Sequence, residues 1–278
     1  MPELPEVEVI RQGLAPHLKG LKIIAIRCSE KPLRTPVPYN EMRGELLGQT
    51  ITAVHRRAKY LIVRMDSDAA IIIHLGMTGN MGIFAKNSDP QKHDHVYWEL
   101  DNGTELRFND TRRFGAVRLL EAGSRKTLEK QFFAATGPEP FSRSCSARYL
   151  NKRAASRKIA IKKFIMDSHV IAGVGNIYAN ESLFRSKIHP DRAAASLSAK
   201  EWQRLLEVIR KTLKDAIECG GSTISDFVDA SGRGGYFQIN FQVYGRAGRT
   251  CAICGETIIK KNIGGRASFI CPGCQKQP

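Results

Sequence analysis

The sequence predicts an α+β protein whose amino-terminal half is rich in strands and whose carboxyl-terminal half is helical and ends in a small metal-binding hairpin. Three observations predict this fold class. Short segments rich in β-branched residues fill the chain up to about residue 133. A long amphipathic helical pattern begins near residue 198. Two Cys-x2-Cys pairs lie within the last 28 residues.

The first element is a helix that we expect over residues 5–18. Pro5 and Glu6 suit its first turn, because proline fixes φ and a carboxylate interacts favourably with the positive end of the helix dipole. Apolar residues at helical spacing form one face of this helix, namely Val7, Ile10, Leu14 and Leu18.

Strands follow the helix, because the hydrophobic period changes. Four short segments bounded by turn residues predict strands: LKIIAIRC, QTITAVHR, YLIVRM and AAIIIHLGM. The stretch HVYWELDNGTELRF predicts a β-hairpin, because apolar residues alternate on both sides of an Asp-Asn-Gly turn. Residues 136–144, TGPEPFSRS, have the composition of a linker.

The clearest helix of the second half starts at Ser198. Glu201 completes a capping box with this serine, and Gly220-Gly221 provides the stop signal. The stretch SGRGGYF that follows is rich in glycine and predicts a flexible loop.

The charge of the chain indicates the class of its partner. It has 43 Lys and Arg residues against 27 Asp and Glu residues, a net charge of +16, and such a surplus attracts polyanions. No apolar run approaches the roughly 20 residues of a membrane span, and the acidic start differs from the basic start of a signal peptide. We therefore expect a cytosolic protein and favour nucleic acid over an anionic membrane.

Four of the seven cysteines form the pattern C-x2-C-x16-C-x2-C, at Cys251, Cys254, Cys271 and Cys274. In a reducing compartment this pattern suits tetrahedral Zn²⁺, and four thiolates leave no open position for catalysis. The zinc would therefore be structural, and a redox or chance cluster is the alternative. Apolar pairs around Gly264-Gly265 place the ligands at the base of a hairpin whose tip carries Arg266.

A dense group of cations lies between residues 152 and 163. It comprises Lys152, Arg153, Arg157, Lys158, Lys162 and Lys163. These side chains would either bind phosphates or form a solvated helix face. A turn with Gly173 and Gly175 then precedes a helix that begins at Asn176, and such a helix start presents free N–H groups that bind phosphate.

Two strand ends combine apolar and cationic residues. HLGMTG contains His74 and Met77, and DTRRFG contains Arg112 and Phe114. Methionine and phenylalanine are usually core residues, but apolar tips beside cations can also be inserted between stacked bases. The composition does not decide between these two interpretations.

The amino terminus itself is a candidate reagent. Met1 precedes the small residue Pro2, which favours removal of Met1. The freed proline amine would be a nucleophile, because α-amino groups titrate near pH ~8 whereas lysine titrates near ~10.4. It would form an iminium with a carbonyl-like carbon, and Glu3 could exchange a proton. A plain helix start is the alternative.

Taken together and in order, these motifs make the chain resemble the bacterial formamidopyrimidine-DNA glycosylases. The matching stretches are MPELPEVE, RRAKYL, HLGMTG, KHDH, DTRRFG, GVGNIYANE, GYFQINFQVYGRAG and the cysteine quartet with GGRASFICPGCQ. Endonuclease VIII-type relatives usually have Gly in place of Leu4, and Arg112 with Phe114 also favours the formamidopyrimidine type. Ser268, where Thr is usual, and the short QKQP tail are departures from the family pattern.

The resemblance implies an architecture in four parts. These are an amino-terminal β-sandwich catalytic domain with flanking helices (1–135), a linker (136–150), a helical domain with a helix-two-turns-helix module and a lesion-capping loop near 231–235 (151–240), and a four-cysteine zinc-finger β-hairpin (241–278). DNA would occupy the cleft between the domains.

The resemblance also implies roles for individual residues. Pro2 would attack C1′ of an everted nucleotide, Glu3 would donate a proton to the sugar, and Glu6 would support the site. Lys59 would serve β-elimination, and Arg266 would serve δ-elimination. The activity implied is a bifunctional DNA glycosylase and AP lyase of base excision repair that removes oxidised purines, including 8-oxoguanine.

Further residues would contact DNA. Met77, Arg112 and Phe114 correspond to a trio that fills the space left by the everted base, and Arg112 would also donate to the orphaned cytosine. Residues expected at phosphates or backbone are His74, His93, Arg157, Asn176 and Arg266. With about six phosphates neutralised, log K should fall with log salt at a slope of roughly −5.

The remaining expectations concern partners and alternatives. The resemblance implies one structural Zn²⁺, damaged double-stranded DNA as the partner, a monomer and a cytoplasmic location. Two alternatives are an enzyme for oxidised pyrimidines and a zinc-dependent DNA-binding module without catalysis.

Overall fold

The computed structural model describes residues 2–123, 125–221 and 241–277. The chain divides into two compact units. The described part of the first comprises residues up to 134 together with 220 and 221, and that of the second comprises 135–219 and 241–277. The glycine-rich loop predicted near residues 231–235 lies outside the described residues.

The first unit contains two four-stranded antiparallel sheets. Its elements are α1 (Leu4–Leu18), β1 (Ile23–Cys28), α2 (Tyr39–Leu46), β2 (Ile51–Arg57), β3 (Tyr60–Met65), β4 (Ala70–His74), β5 (Gly79–Ala85), β6 (Asp94–Leu100), β7 (Thr104–Asp110), β8 (Ala116–Leu120) and α3 (Arg125–Phe132). One sheet has the strand order β1-β6-β7-β5 and the other the order β2-β3-β4-β8. The predicted leading helix, the four β-branched strands and the β6–β7 hairpin are confirmed.

The core of the first unit lies between the inner faces of the two sheets and α1. The predicted apolar face of α1 is buried in this core, together with Trp98, Phe108 and residues of β2 to β4. Burying a large apolar side chain stabilises the fold by roughly 1.5–3 kcal/mol. This packing therefore fixes the position of α1, and with it the start of the chain.

The outer face of β6 and β7 is also buried, although an alternating hairpin usually exposes one face. Arg107 donates to the Glu105 carboxylate at 3.0 Å and to the carbonyls of Ser88 and Asp89 at 2.9 and 3.0 Å. Its guanidinium also lies over the Phe84 ring, 4.8 Å from the centroid. A paired and hydrogen-bonded charge can be buried, so this face is closed by ions rather than by apolar contacts.

The second unit is mainly helical. Its elements are α4 (Ala147–Ala154), α5 (Ile161–Met166), α6 (Asn176–Arg185), a short 3-10 helix (Ala194–Ser196), α7 (Ala199–Glu218), β9 (Ile259–Ile263) and β10 (Arg266–Ile270). No helix in the described ranges is both long and apolar enough to cross a membrane.

The longest helix of the described residues, α7, has the predicted end signals. The Glu201 N–H donates to Ser198 Oγ at 3.3 Å, and the Ser198 N–H donates to the Glu201 carboxylate at 2.8 Å. Hydrogen bonding from Arg192 is the main cause that lowers the pKa of Glu201 to about 2. Gly220 and Gly221, with φ of 80° and 83°, follow the helix, as expected for a glycine stop.

A two-stranded hairpin ends the fold. Its strands pair from Arg266 opposite Ile263 to Ile270 opposite Ile259. Gly264 and Gly265 form the turn, with φ of 60° and 75°. Two successive positive φ values match the right-handed twist of a two-residue hairpin, which explains the glycine pair.

Candidate active site and nucleic-acid interface

The chain start forms a compact acidic site at the amino end of α1. The Glu3 backbone N–H donates to Glu6 Oε2 at 2.8 Å, and both glutamates are only 2% exposed. Pro2, directly before them, is half-buried. The Glu6 carboxylate thus accepts the N–H of the residue that caps the helix and fixes the backbone beside Pro2.

Gly221 approaches this site within the first unit. A Cβ added at Gly221 would lie 3.4 Å from Glu6 Cγ and 3.5 Å from Glu6 Oε1. The φ of Gly221 is +83°, a conformation that disfavours other residues. The segment after α7 therefore packs close to the Glu6 carboxylate, and this position favours glycine.

Lys59 lies in the tight turn between β2 and β3, where Ala58 has a φ of 52°. Arg56 fixes the turn, because it donates to the Ala58 carbonyl at 2.9 Å and to Glu8 Oε2 at 3.0 Å. Burial alone would raise the pKa of Glu8, but hydrogen bonds and charges from Arg11 and Arg56 outweigh burial and lower it. A carboxylate of α1 therefore holds the turn that carries Lys59.

His74 ends β4 near Lys59. Its Nδ1 accepts the Gly76 N–H at 3.1 Å, so neutral imidazole presents Nε2–H as a donor. Burial and then the positive charge of Lys59 lower the pKa of His74, and Asp110 opposes them in part. Burial, together with repulsion between Lys59 and a protonated His74, therefore favours the neutral ring.

The segments with Met77 and Phe114 lie outside the core of the first unit. Met77 is half-buried, whereas Phe114 is 40% exposed. The Arg112 guanidinium lies over the Phe114 ring, 4.8 Å from its centroid, and the Arg34 guanidinium lies 5.8 Å from it. The interpretation of Phe114 as a core residue is therefore wrong.

Arg34 and Asp110 belong to this region and were not expected there. The Arg34 N–H donates to the Arg113 carbonyl at 2.8 Å. The Asp110 N–H donates to the carbonyl of His93, a residue with a φ of 78°. The sequence gives little signal for either, since a single arginine in a proline-rich loop and an aspartate at a strand end are both common.

In the second unit the glycine turn predicted before α6 is present, and its role in binding phosphate stays a prediction. Gly173 has a φ of 82°, and Asn176 is the first residue of α6, but Gly175 is extended, with a φ of −124°. Arg157 is exposed in the turn after α4. Asn176 therefore supplies a helix start and Arg157 an exposed cation within the second unit.

Lys162 corrects the interpretation of the cation group. Its side chain is fully buried, and its ammonium donates to the Ala267 carbonyl and to Ser268 Oγ, both at 2.7 Å. It is therefore neither part of a solvated helix face nor available to phosphate. Because a buried ammonium must be paired, Lys162 links α5 to β10.

The four cysteines of the second unit form one cluster. Their sulfur atoms lie within 4.8 Å of one another, with Sγ separations of 3.9 Å between Cys251 and Cys274 and 3.2 Å between Cys254 and Cys271. A tetrahedral site with Zn–S bonds of ~2.3 Å has sulfur separations of about 3.8 Å. The donor type and the spacing therefore fit zinc.

Polar side chains of α6 bind backbone groups before the first cysteine pair and in strand β10. The Glu181 carboxylate accepts the N–H groups of Gln242, Val243 and Tyr244, each at 3.0 Å. Asn180 Oδ1 accepts the Phe269 N–H at 2.8 Å. Arg266 stands exposed at the start of β10, next to the turn. The hairpin and its tip are thus fixed to α6 through buried polar groups.

The structure thus groups the predicted site residues within each unit. The first unit brings Pro2 together with Glu3 and Glu6, and Lys59 with His74. The second unit contains the cysteine cluster, the Asn176 helix start, Arg157 and Arg266.

Two family models match the chain. The model described as the formamidopyrimidine-DNA glycosylase N-terminal domain matches residues 1–117, and the model described as the formamidopyrimidine-DNA glycosylase H2TH domain matches residues 136–228.

Full-length relatives and solved structures are also similar. The chain is 44% identical to a formamidopyrimidine-DNA glycosylase from Magnetococcus marinus and 46% identical to one from Vibrio vulnificus, over 99% of this chain and 100% of each relative. It matches Lactococcus lactis Fpg in a complex with DNA containing an abasic site, with a TM-score of 0.89 and 33% identity over 99% of this chain and 100% of that one. A Lactococcus lactis complex with DNA containing an oxidised pyrimidine matches equally well, with a TM-score of 0.89.

Proposed function

The chain belongs to the formamidopyrimidine-DNA glycosylase family and is a DNA glycosylase of base excision repair, and we propose that it removes oxidised purines from duplex DNA and then cleaves the abasic site. Its expected substrates are 8-oxoguanine and formamidopyrimidines. Full-length similarity to named glycosylases argues against a DNA-binding module without catalysis.

The acidic site at the chain start is the observation on which this proposal rests most. Removal of Met1 would free the Pro2 nitrogen beside two buried carboxylates, Glu3 and Glu6. The amine attacks C1′, the bond from C1′ to the base breaks, and the base departs with the bonding electrons and takes up the proton that the amine nitrogen loses. Glu3 protonates the sugar ring oxygen, so that the ring opens and an iminium remains on Pro2.

Strand cleavage follows from two eliminations. Loss of a proton from C2′ expels the 3′ phosphate, and Lys59, in the turn fixed by Arg56 and Glu8, is the residue we assign to this step. Arg266 at the hairpin tip is the residue assigned to the second elimination, which expels the 5′ phosphate. Together the two steps leave a one-nucleotide gap with a phosphate at both ends.

Eversion of the damaged nucleotide leaves a space in the base stack that must be filled. Base unstacking costs a few kcal/mol. Met77, Arg112 and Phe114 lie outside the core and have the apolar and cationic character this role needs. We assign Arg112 as the donor to the orphaned cytosine, so Arg112→Ala should reduce the preference for cytosine opposite the lesion.

Contacts to the DNA backbone complete the interface. The neutral His74 ring would donate through Nε2, and the Asn176 helix start would offer backbone N–H groups. His93, Arg157 and Arg266 would add further backbone contacts. We expect the enzyme to act as a monomer on DNA in the cytoplasm.

The cysteine cluster would hold one structural Zn²⁺ through Cys251, Cys254, Cys271 and Cys274. The ion supplies cross-linking of the hairpin base, since four thiolates complete its coordination. The chain's own residues Lys162 and Asn180 hold the hairpin from the α5 and α6 side, and Glu181 holds the segment before the cysteines. Arg266 would thereby be presented to DNA from a fixed turn.

Reduction by borohydride tests the proposal. The enzyme incubated with a duplex containing 8-oxoguanine opposite cytosine should become covalently attached to DNA when the iminium is reduced. Pro2→Gly should lower the yield of trapped adduct. Absence of an adduct, or a yield that does not depend on residue 2, would contradict the proposal.

Oxidised pyrimidines are the second candidate substrate class. The observation in its favour is the similarity to Lactococcus lactis Fpg in complex with DNA containing an oxidised pyrimidine. A comparison of kcat/KM for 8-oxoguanine and thymine glycol distinguishes the two classes. We expect the higher value for 8-oxoguanine.

A further inference from the structure

Asp110 lies where the two segments that contain Met77 and Phe114 meet. Its side chain is fully buried at the end of β7. The carboxylate accepts three hydrogen bonds, from Thr78 Oγ at 2.5 Å, from the Gly115 N–H at 2.7 Å and from the Arg112 N–H at 3.2 Å. One carboxylate thus fixes both ends of the 112–115 segment and one residue of the 75–79 segment.

The two segments also touch through their backbones. A Cβ added at Gly76 would lie 2.5 Å from the Gly115 nitrogen and 2.5 Å from the Phe114 carbonyl carbon. In addition, Thr78 Oγ accepts the Arg112 N–H at 3.0 Å. Neither segment can therefore shift without displacing the other or breaking a hydrogen bond to Asp110.

The backbone of Asp110 is fixed by contacts with His95 and His93. His95, which is buried, contacts the Asp110 carbonyl through Nε2 at 2.9 Å and Ser29 Oγ through Nδ1 at 3.0 Å. The Asp110 N–H donates to the His93 carbonyl at 3.0 Å. Asp110 thus also connects the end of β7 to His93, a residue that we assign to contact with the DNA backbone.

We propose that Asp110, with Thr78 as its partner, is a positioning residue that makes Met77 and the Arg112–Phe114 segment enter the base stack as one rigid unit. This inference rests on the proposed function. Filling the space behind an everted base requires the apolar tip and the cationic donor to arrive in one geometry. Small displacements of positioned groups reduce rates strongly, by about 100-fold for an error of ~1 Å.

Two substitutions break the connection without removing side-chain volume. Asp110→Asn removes the charge and one acceptor, and Thr78→Val removes the hydroxyl that connects the two segments. Thr78→Ser restores the hydroxyl and serves as the rescue. Asp101→Asn is the matched control, because the exposed Asp101 accepts the Lys22 N–H at 3.1 Å in a turn on another part of the same unit.

Two substrates separate positioning from general loss of structure. A duplex with 8-oxoguanine opposite cytosine requires the space to be filled, whereas a single-stranded oligonucleotide with an abasic site has no base stack to repair. We expect Asp110→Asn and Thr78→Val to lower excision from the duplex about tenfold or more. Borohydride trapping on the single strand should stay within about twofold of the parent enzyme. The preference for cytosine over adenine opposite the lesion should fall in parallel.

The outcomes distinguish this inference from the function on which it rests. A loss on the duplex that Thr78→Ser rescues, with an intact reaction on the single strand, supports the positioning role. Equal losses on both substrates, or duplex excision equal to that of Asp101→Asn, would overturn it. A parent enzyme that neither excises 8-oxoguanine nor forms a trapped adduct would instead overturn the proposed function.

Discussion

The amino-terminal site and the cysteine hairpin each carry a residue that we assign to the reaction, but different forces hold these two parts of the molecule. Pro2 and Glu3 are fixed by α1, whose apolar face is buried in the main core of the first unit. Arg266 stands on a two-stranded hairpin with only a small apolar cluster, which includes Phe184, Ile258 and Phe269, and buried polar contacts and the four clustered cysteines add to it. The first site is held by a large apolar core, whereas the second is held by a small apolar cluster, by buried hydrogen bonds and, in our proposal, by a metal ion.

This difference has a physical origin in size. The first unit buries two sheets and a helix, whereas a two-stranded hairpin alone is at best marginally stable in water. A metal cross-link would add stability to the hairpin, and the four clustered cysteines are the ligands that we propose for it. It is also held by α6, where Asn180 accepts the N–H of Phe269 in β10 and Glu181 accepts the N–H of Val243 before the cysteines. Perturbations of the two sites should thus have different consequences for folding and for chemistry.

The largest expected effect is chemical and belongs to the amino-terminal site. Glu3→Gln should lower the rate of base excision by about 10²–10⁴-fold, because a positioned proton donor contributes about that factor. The free energy of unfolding should change little by comparison. Single-turnover release of 8-oxoguanine measures the rate, and Glu41→Gln, an exposed residue of α2, is the control. An unchanged excision rate would remove Glu3 from the mechanism.

The next effect is structural and belongs to the hairpin. Removal of zinc by a chelator should unfold the hairpin, since zinc binding in comparable small sites contributes on the order of 10 to 16 kcal/mol. Hydrogen exchange should become fast at β9 and β10 and stay slow at β3 and β4. DNA affinity measured by fluorescence anisotropy should fall with the metal content. Full affinity in a metal-free protein would show that the hairpin does not need the ion.

A smaller effect tests the contact between α6 and the segment before the cysteines. Glu181→Gln weakens three hydrogen bonds to a buried carboxylate, and hydrogen bonds to charged groups contribute about 1.5–3 kcal/mol. The free energy of unfolding measured in urea should fall by about that amount. Glu207→Gln, at an exposed position of α7, should stay within about 0.5 kcal/mol. Equal stability of the two variants would contradict the role of Glu181.

The smallest effect concerns the link between α1 and the Lys59 turn. The pKa of Glu8 is lowered in the folded protein, so its stabilisation is complete above its ordinary pKa of 4.5 and is lost as pH falls through the lowered value. Glu8→Gln should therefore reduce the pH dependence of stability on the acid side of pH 4.5. Thermal unfolding at a series of pH values measures this. Parallel curves for both proteins would show that Glu8 does not contribute.

The comparison also explains what the sequence could predict. Local signals located α1, the β6–β7 hairpin, the cap of α7 and the cysteine pattern, because spacing and turn residues act within a few positions. β5 was not predicted, since its sequence GNMGIFA contains glycines that weaken a strand signal. Its pairing with β7 arises from the sheet rather than from local preference.

Motifs predicted only those parts of the site whose residues are adjacent in the sequence. Met1-Pro2-Glu3 and the cysteine pairs are short motifs. Lys162 and Asp110 act through partners distant in sequence or through backbone groups. A buried lysine has the same sequence signature as an exposed one. The sequence therefore could not distinguish Lys162 from the exposed cations of the group. The family resemblance supplied the residue roles that periodicity cannot give.

The most direct test of the central claim is to locate the covalent bond. After borohydride reduction on 8-oxoguanine DNA, digestion with nuclease and trypsin should leave the sugar remnant on the peptide of residues 2–11, PELPEVEVIR, which ends at the first basic residue of the chain. Mass spectrometry should find the added mass at the nitrogen of Pro2, with Met1 absent. A remnant on Lys59 or on any other residue would contradict the account.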